Sequence, residues 1–252
     1  MGIIKKLVKC ISYIEKLNID EIEKLKIGIE IQDFTEPNLK KSEIKKIVET
    51  YKKILQDFNG IKALHGPFLD LKPASPDLLI RDISYKRYLD ALNIARELNT
   101  DYIIFHSQIN PYLNNITLRR LNNSQAKELW DKILSETDYR GIILIENIFE
   151  ESPLMLKEYI KEINKPNVKI NLDIGHAKFG KVDLEEWIIE LKDYIEYMHI
   201  HSNDSLYDTH EKPSNEEISN LYDLLEKYKL NPVLSLEYDT DNLTDEIKRY
   251  QY

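Results

Sequence analysis

The sequence predicts a single α/β domain, residues 1–252, folded as a (β/α)8 barrel. Short, nearly continuous apolar runs alternate with longer amphipathic stretches from one end to the other, which is the pattern of a parallel sheet wrapped by helices. A chain of 252 residues that is 42% hydrophobic also has the size of one such barrel. No glycine-rich phosphate turn follows the first apolar run, which disfavours the alternative of an open doubly wound sheet.

Eight apolar runs, rich in Ile, Val, Tyr and Phe, are the predicted strands. Their near-continuous apolar character is typical of strands that are buried on both faces. They cover residues 7–14, 27–34, 61–68, 101–108, 141–147, 168–176, 195–202 and 232–238.

A helix is predicted after each strand. In the stretch 41–58, Ile44, Val48 and Tyr51 belong to one apolar stripe with Lys and Glu opposite. The other predicted helices cover 83–99, 124–136, 153–164, 183–194 and 215–229, with weaker ones at 15–26 and 242–252. Ser124 and Asp183 are predicted N-caps, and Pro153 is predicted in a first helical turn.

The composition excludes several classes of function. The net charge is −9, from 44 acidic and 35 basic residues, which argues against broad, sequence-independent binding to nucleic acid. The one cysteine, Cys10, lies in an apolar run and is expected in the core, so neither a disulfide framework nor a cysteine zinc cluster is predicted. The N-terminus lacks a signal-peptide core, and no apolar run has the length of a membrane span. We therefore expect a cytoplasmic protein with no membrane attachment and no obligate protein partner.

Polar residues collect where the predicted strands end, which is the functional face of such a barrel. All six histidines fall there or in the loop beyond, with four acids. The set is His65, His106, Glu146, Asp173, His176, His199, His201, Asp208, His210 and Glu237. Any one of these histidines alone is more often an ordinary polar residue than a metal ligand, but their convergence on one rim favours a common role.

A bound metal would explain the acids in this set. The runs "ILIE", "INLD" and "LSLE" each end in a carboxylate, which is costly to bury without a partner. The only arginine after Arg140 is Arg249, so few guanidinium groups could compensate these carboxylates. Nitrogen and oxygen ligands without thiolates suit Zn²⁺ first, and also Mn²⁺, Fe²⁺ or Co²⁺. The candidates outnumber the ligands of one ion, which predicts two or three ions that share a carboxylate.

The motifs "LHGPF", "FHSQ", "IENI", "LDIGHA", "MHIHSND", "DTH" and "SLEY" resemble, in order and spacing, those of the xylose-isomerase-like TIM barrels. That superfamily contains endonuclease IV, of AP endonuclease family 2, and the sugar epimerases and isomerases. The resemblance covers roughly residues 61 to 240.

The resemblance to endonuclease IV implies a trinuclear, zinc-type site. His65 and His106 would bind one ion, and Glu146 would bridge it to a second ion held by Asp173, His199 and Glu237. His176, Asp208 and His210 would hold the third. His201 stands where the endonuclease motif has Asn, so it is interpreted as a contact to a ligand or to the substrate, together with Asn147, Asp204 and Lys212.

The sugar epimerases offer a second model, with one ion. Glu146, Asp173, His199 and Glu237 would bind it, and the two glutamates would shuttle a proton. Those enzymes carry an arginine after the seventh strand, whereas "NDSLYDTHEKP" has the pair Asp208-x-His210, which favours the multinuclear model. The glycine-rich segment after the endonuclease's Asp-x-His motif is missing, and so are clear equivalents of its DNA-gripping loops.

The leading prediction is a metal-dependent hydrolase of a phosphoester, either abasic DNA or a smaller phosphorylated compound, with Glu146, Glu237 and His176 as catalytic residues. Several ions would together activate water and stabilise the leaving oxygen. The alternative is a sugar or sugar-phosphate isomerase or epimerase, in which one ion polarises a carbonyl and Glu146 and Glu237 move the proton. His176 would then contact the substrate. A third possibility is a metal-binding barrel without catalysis.

Overall fold

The computed structural model describes residues 6–36, 38–110 and 115–250. Its centre is a closed barrel of eight parallel strands in sequence order, with β8 paired back onto β1. This confirms the predicted (β/α)8 barrel. The strands are β1 (Lys6–Ile11), β2 (Gly28–Ile31), β3 (Lys62–His65), β4 (Tyr102–His106), β5 (Ile142–Glu146), β6 (Val168–Asp173), β7 (Ile195–Ile200) and β8 (Val233–Leu236).

Helices surround the barrel and pack against the outer faces of the strands. They are α1 (Ile19–Leu25), α2 (Lys41–Ile54), α3 (Leu78–Glu97), α4 (Ile116–Glu136), α5 (Pro153–Ile163), α6 (Ile174–Ala177), α7 (Leu184–Leu191), α8 (Asn215–Lys227) and α9 (Leu243–Lys248), with a 3₁₀ turn at Ile14–Lys16. Within the described ranges, no helix combines the length and the apolar character that crossing a membrane requires. The last two residues of the predicted tail helix lie outside the described residues.

Two of the predicted helix starts are wrong. Ser124 lies in the middle of α4, and the N-cap is Asn115, whose side chain accepts hydrogen bonds from the backbone of Thr117 (2.9 Å) and Leu118 (3.2 Å). Similarly, α3 begins at Leu78 rather than near residue 83. Apolar side chains in the first turns of both helices are exposed, so the core-facing stripe that marks a helix in the sequence starts later than the helix itself. The predicted cap Asp183 and the first-turn position of Pro153 are confirmed.

The end of the sixth predicted strand is also different. The prediction carried this strand through His176, but β6 ends at Asp173 and the next four residues form the short helix α6. The Asp173 side chain accepts a hydrogen bond from the backbone N–H of His176 at 2.7 Å, which caps this helical turn. His176 therefore projects from a helix that starts directly at the barrel rim.

The interior of the barrel has an apolar layer below a polar one. The apolar layer contains Val8, Ala63, Ile104, Leu144, Tyr197 and Val233. Side chains two residues apart on a strand point to the same side, so the next inward positions are Cys10, His65, His106, Glu146, His199 and Ser235. Cys10 is buried as predicted, with its Sγ 3.1 Å from Ser235 Oγ. The apolar floor thus holds a polar layer at the C-terminal end of the strands.

Candidate metal centre

The first group of candidate ligands lies at the ends of β3, β4 and β5. His65 Nε2 is 3.5 Å from Glu146 Oε2, and His106 Nε2 is 3.8 Å from Glu146 Oε1. His65 Nδ1 lies 2.9 Å from the carbonyl oxygen of Gly66, to which it can donate. That bond leaves Nε2 of His65 free to face the carboxylate, as metal-binding histidines commonly do.

The second group shares Glu146 with the first. His199 Nδ1 faces three carboxylates, at 3.4 Å from Glu146 Oε2, 3.6 Å from Asp173 Oδ2 and 2.9 Å from Glu237 Oε2. His199 and Asp173 are fully buried, and Glu146 nearly so. One imidazole nitrogen surrounded by three carboxylates is an arrangement that a divalent cation would balance.

The third group is built around Asp208. Its Oδ2 lies 3.0 Å from His176 Nε2 and 3.2 Å from His210 Nε2. The other ring nitrogens of these two histidines lie 2.9 Å from backbone carbonyl oxygens, of Asn147 and Glu237 respectively. His201 belongs to this group as well, because its ring stacks on that of His210 at 4.1 Å and its Nε2 is 3.0 Å from Asp173 Oδ1.

All nine predicted ligands therefore meet at one end of the barrel, in groups whose ligand atoms lie within 4.8 Å of one another. Among the described residues, these groups contain Cys10, Glu30 and His201 together with the nine predicted ligands, which are His65, His106, Glu146, Asp173, His176, His199, Asp208, His210 and Glu237. Glu146 and Asp173 each belong to more than one group, which is the sharing that several ions require.

Two buried atoms provide a test of whether a metal fits. His199 Nδ1 and Glu237 Oε2 lie 2.9 Å apart, but neither has a hydrogen-bond partner among the described residues. An unpaired polar atom in a buried place is costly. A cation between them and the neighbouring carboxylates would satisfy both atoms, so the residues fit the implied metal.

The pKa values in this layer show how strongly the groups interact. Burial lowers the pKa of His106 to about 3 despite the neighbouring Glu146. Burial also works against the charged form of His199, but the carboxylates of Glu237 and Glu30 outweigh it and raise the pKa of His199 well above its ordinary value. Burial also disfavours the charged form of Glu146 and by itself would raise its pKa, yet the facing histidines hold that pKa well below the ordinary value. The carboxylates of this cluster therefore require a positive charge close to them.

The three remaining predicted contacts are divided between the site and its surroundings. Asn147 joins β5 to β6, because its side chain donates to the backbone carbonyl of Asp173 and accepts from the backbone N–H of Asp173, both at 2.9 Å. Asp204 accepts from the backbone N–H groups of Leu206 and Tyr207, at 2.9 Å each, and so caps a turn. Lys212 is half exposed and pairs with Glu246 on α9. Neither Asp204 nor Lys212 lines the cavity described below.

Two residues that contact the candidate ligands were not predicted from the sequence: Glu30 on β2 and Gln32 in the turn after it. Glu30 is fully buried beneath His199, with its Oε2 3.0 Å from His199 Nε2. Gln32 donates through Nε2 to Glu237 Oε1 at 2.6 Å. The signal was present in "IGIEIQ", since a carboxylate in an apolar run is costly to bury here as well. It was overlooked because Glu30 lies inside the predicted strand and not at its end.

A cavity of about 1090 Å³ opens above the polar layer. All the predicted ligands line it except the two deepest, Asp173 and His199. Its walls toward β3, β4 and β5 include the apolar side chains of Phe68, Ile109 and Phe149, and Phe68 stacks on His106 at 4.3 Å. Lys72 is the one Lys or Arg among the described residues that line it. The ligand groups are therefore open to a molecule of small size.

Comparison with known proteins places this arrangement in a family. The family model described as "Xylose isomerase-like TIM barrel" matches residues 15–251. The protein MJ1311 of Methanocaldococcus jannaschii is 28% identical over 197 residues, which is 73% of this chain and 66% of MJ1311. The match to a second protein of that organism, MJ1614, covers 62% of each chain. This chain therefore matches about two thirds or less of the length of these relatives.

Solved structures share the fold at low sequence identity. The TTHB071 protein from Thermus thermophilus, soaked with ZnCl2, has a TM-score of 0.77 at 21% identity and covers 98% of this chain and 96% of its own. A D-tagatose 3-epimerase-like protein has a TM-score of 0.72 at 24% identity, covering 98% and 94%. An AP endonuclease, family 2, from Brucella melitensis has a TM-score of 0.67 at 17% identity, covering 95% of each chain. Since the family model spans nearly the whole sequence, the chain belongs to the xylose isomerase-like TIM-barrel family.

Proposed function

We propose that the protein is a metal-dependent hydrolase of a phosphoester that uses two or three divalent ions, with Zn²⁺ as the first choice and Mn²⁺, Fe²⁺ or Co²⁺ as substitutes. The observation that carries the proposal is the third ligand group. Asp208 and His210 extend the cluster beyond the ligands of a single ion, and both face the same cavity as His65 and His106. Multinuclear sites of this kind commonly serve displacement at phosphorus.

Side chains at the floor and at the rim of the cavity would have different roles. Bound ions would supply Lewis-acid stabilisation of phosphoryl oxygens and would lower the pKa of water. Gln32 fixes Oε1 of Glu237, whereas Oε2 has no hydrogen-bond partner among the described residues and faces the ligand groups, so Glu237 would bind an ion through Oε2 and orient the attacking water beside it. Glu146 belongs to two of the ligand groups, and His176 and Asp208 line the cavity, where they would hold the ion that stabilises the leaving oxygen.

The cavity favours a small phosphorylated substrate over abasic DNA. Its volume is close to that of ordinary small-molecule sites. Binding to DNA depends on Lys and Arg contacts to phosphates, whereas Lys72 is the one cation on the described walls and the chain carries a net charge of −9. Apolar walls and a rim with few cations suit a compact phosphoester whose surface outside the phosphate is uncharged.

The test is hydrolysis of phosphoesters by metal-loaded protein, with Glu237→Gln as the key variant. Removing the carboxylate that orients the water should lower kcat by about 10²–10⁴. Asp239→Asn is the matched control, because Asp239 is two residues further on and its side chain is 94% exposed. Wild-type protein that cleaves no phosphoester in a broad panel, including abasic DNA, would overturn the proposal. Cleavage that disappears in Glu146→Gln and Glu237→Gln also excludes a barrel that only binds metal.

One observation favours an isomerase or epimerase as the second candidate. Glu146 and Glu237 approach the same nitrogen, His199 Nδ1, at 3.4 and 2.9 Å. Two carboxylates around one ion are the arrangement that moves a proton between adjacent carbons of a sugar. Incorporation of solvent deuterium into a ketose, lost in Glu237→Gln, would support this candidate, and its absence across a broad sugar panel would count against it.

A further inference from the structure

Glu30 is a fully buried carboxylate that lies below the candidate metal centre. It projects from β2 into the barrel, and its oxygens accept hydrogen bonds from Tyr197 Oη at 2.8 Å, Ser235 Oγ at 2.9 Å and Gln32 Nε2 at 3.2 Å. The remaining partner is His199, whose Nε2 is 3.1 Å from Oε1 and 3.0 Å from Oε2. Four donors around one carboxylate suit its ionised form.

Glu30 determines which nitrogen of His199 faces the ligand groups. The imidazole lies between Glu30 on its Nε2 side and Glu146, Asp173 and Glu237 on its Nδ1 side. A neutral imidazole has one N–H and one lone pair. With the N–H donated to Glu30, the lone pair of Nδ1 points to the place where the three carboxylates meet.

Gln32 extends the same support to Glu237. Residues 30 and 32 are two apart, and the Gln32 amide donates both to Glu30 Oε1 and to Glu237 Oε1. It therefore fixes one oxygen of Glu237, while Oε2 lies 2.9 Å from His199 Nδ1 and has no hydrogen-bond partner in the part of the chain that the structure describes. The end of β2 thus contacts two candidate ligands. Glu30 itself lies in a cluster with Cys10, His199 and Glu237, but four hydrogen-bond donors already occupy its oxygens, so we assign it a supporting role and not a place among the ligands.

We propose that Glu30 is the positioning residue of the metal centre: it holds the His199 imidazole in the orientation and tautomer that bind the ion shared by Glu146, Asp173 and Glu237. This inference rests on the proposed metal-dependent function. Carboxylates that accept from a ligating histidine orient the ring and raise its basicity, and their removal typically weakens metal binding by about 10–100-fold.

The alternative is that Glu30 only stabilises the fold as one of several buried polar groups. Asp33 provides the comparison, because it is also a buried carboxylate and lies in the turn after β2. It accepts from Tyr51 Oη at 2.6 Å and from the backbone N–H of Ile14 at 3.0 Å, and the cavity above the ligands does not include it. Asp33→Asn therefore removes a buried charge near β2 without touching His199.

The experiment measures metal binding directly, with Co²⁺ as the probe. Metal-free wild type, Glu30→Gln and Asp33→Asn are titrated with Co²⁺ against a chromophoric chelator, and the visible absorption of bound Co²⁺ is recorded. Glu30→Gln should bind one ion about 10–100-fold more weakly and should shift the absorption bands of that ion. Asp33→Asn should match wild type in both.

Several outcomes would overturn the inference. It fails if Glu30→Gln binds Co²⁺ as wild type does, or if Asp33→Asn weakens binding to the same extent. If Glu30→Gln does not fold, Tyr197→Phe is the deciding variant, because it removes one donor to Glu30 and keeps the charge. It should weaken the binding of the same ion by a smaller factor. Binding equal to that of wild type would contradict the proposal. Wild-type protein that takes up no metal would overturn this inference and the proposed function together. Normal uptake without phosphoester cleavage would contradict the proposed function alone.

Discussion

Asp208 is the residue on which the proposed multinuclear centre depends most. Its carboxylate lies between the rings of His176 and His210, at 3.0 and 3.2 Å. The backbone of His210 has a φ of 48°, a left-handed conformation that costs a non-glycine residue about 1–2 kcal/mol. A strained residue held in place by Asp208 and by the carbonyl of Glu237 is typical of a functional loop.

Replacing Asp208 by Asn should remove one ion. The amide cannot supply the negative oxygen that His176 and His210 face, so the metal content of Asp208→Asn should fall by one equivalent per chain. Asp204→Asn is the control, because Asp204 is in the same loop but only caps a turn. Elemental analysis of metal-replete protein gives the counts. An unchanged count in Asp208→Asn would contradict the third ligand group.

At the residue level, the sequence predicted which polar side chains meet at the barrel rim, because such residues repeat at strand ends. Glu146 ends the apolar run "ILIE", and His65 and His106 end their strands in the same way. Glu30 was missed because it lies inside its predicted strand, and its contacts with Ser235 on β8 and Tyr197 on β7 depend on packing across the barrel. A single sequence does not contain such distances.

Among the elements, the short helix α6 determines the position of two histidines. His176 belongs to α6, and the ring of His201 lies against Gly175. A Cβ at position 175 would be 2.1 Å from Cε1 of His201, far inside van der Waals contact. Only glycine therefore leaves room for His201 to reach Asp173.

Gly175→Ala should disturb the centre without changing any ligand. The His201 ring would have to move away from Asp173, and such overpacking typically costs about 1–3 kcal/mol in the free energy of unfolding. We expect a lower urea midpoint together with weaker metal binding. Gly180→Ala is the comparison, since its nearest contact would be 3.1 Å. Equal effects of both substitutions would argue against a special role for Gly175.

Predictions at the level of elements succeeded for the number and order of the strands and were less accurate for the end of the sixth strand and for helix starts. Strands in the barrel are buried on both faces, so their apolar runs are visible in the sequence. The first turns of α3 and α4 instead expose Leu78, Leu79, Ile116 and Leu118. Because exposed apolar residues interrupt the amphipathic pattern, the pattern located the packed part of each helix and not its cap.

For the whole molecule, the balance of charge at one end of the barrel should make stability depend on pH and metal. In the metal-free protein, the carboxylates raise the pKa of His176 and His199 against the effect of burial, and that of His210 to about 9. A histidine with a raised pKa stabilises the fold fully below its unfolded value of about 6.5 and loses that contribution as the pH rises through the folded value.

The melting temperature of metal-free protein should therefore fall as the pH is raised from about 6.5 to 9. Metal-loaded protein should behave in the opposite way, because ions bind the deprotonated rings and compete with protons. The gap between the two melting temperatures should widen over this range. Calorimetry with and without a chelator measures it, and a gap that narrows would contradict the assignment of these histidines as ligands.

The number of ions per chain tests the central claim most directly. Protein loaded with Zn²⁺ and freed of excess metal should contain two or three equivalents by elemental analysis, because the three ligand groups share Glu146 and Asp173 but exceed the needs of one ion. A fully loaded sample with fewer than two equivalents per chain would contradict a multinuclear centre.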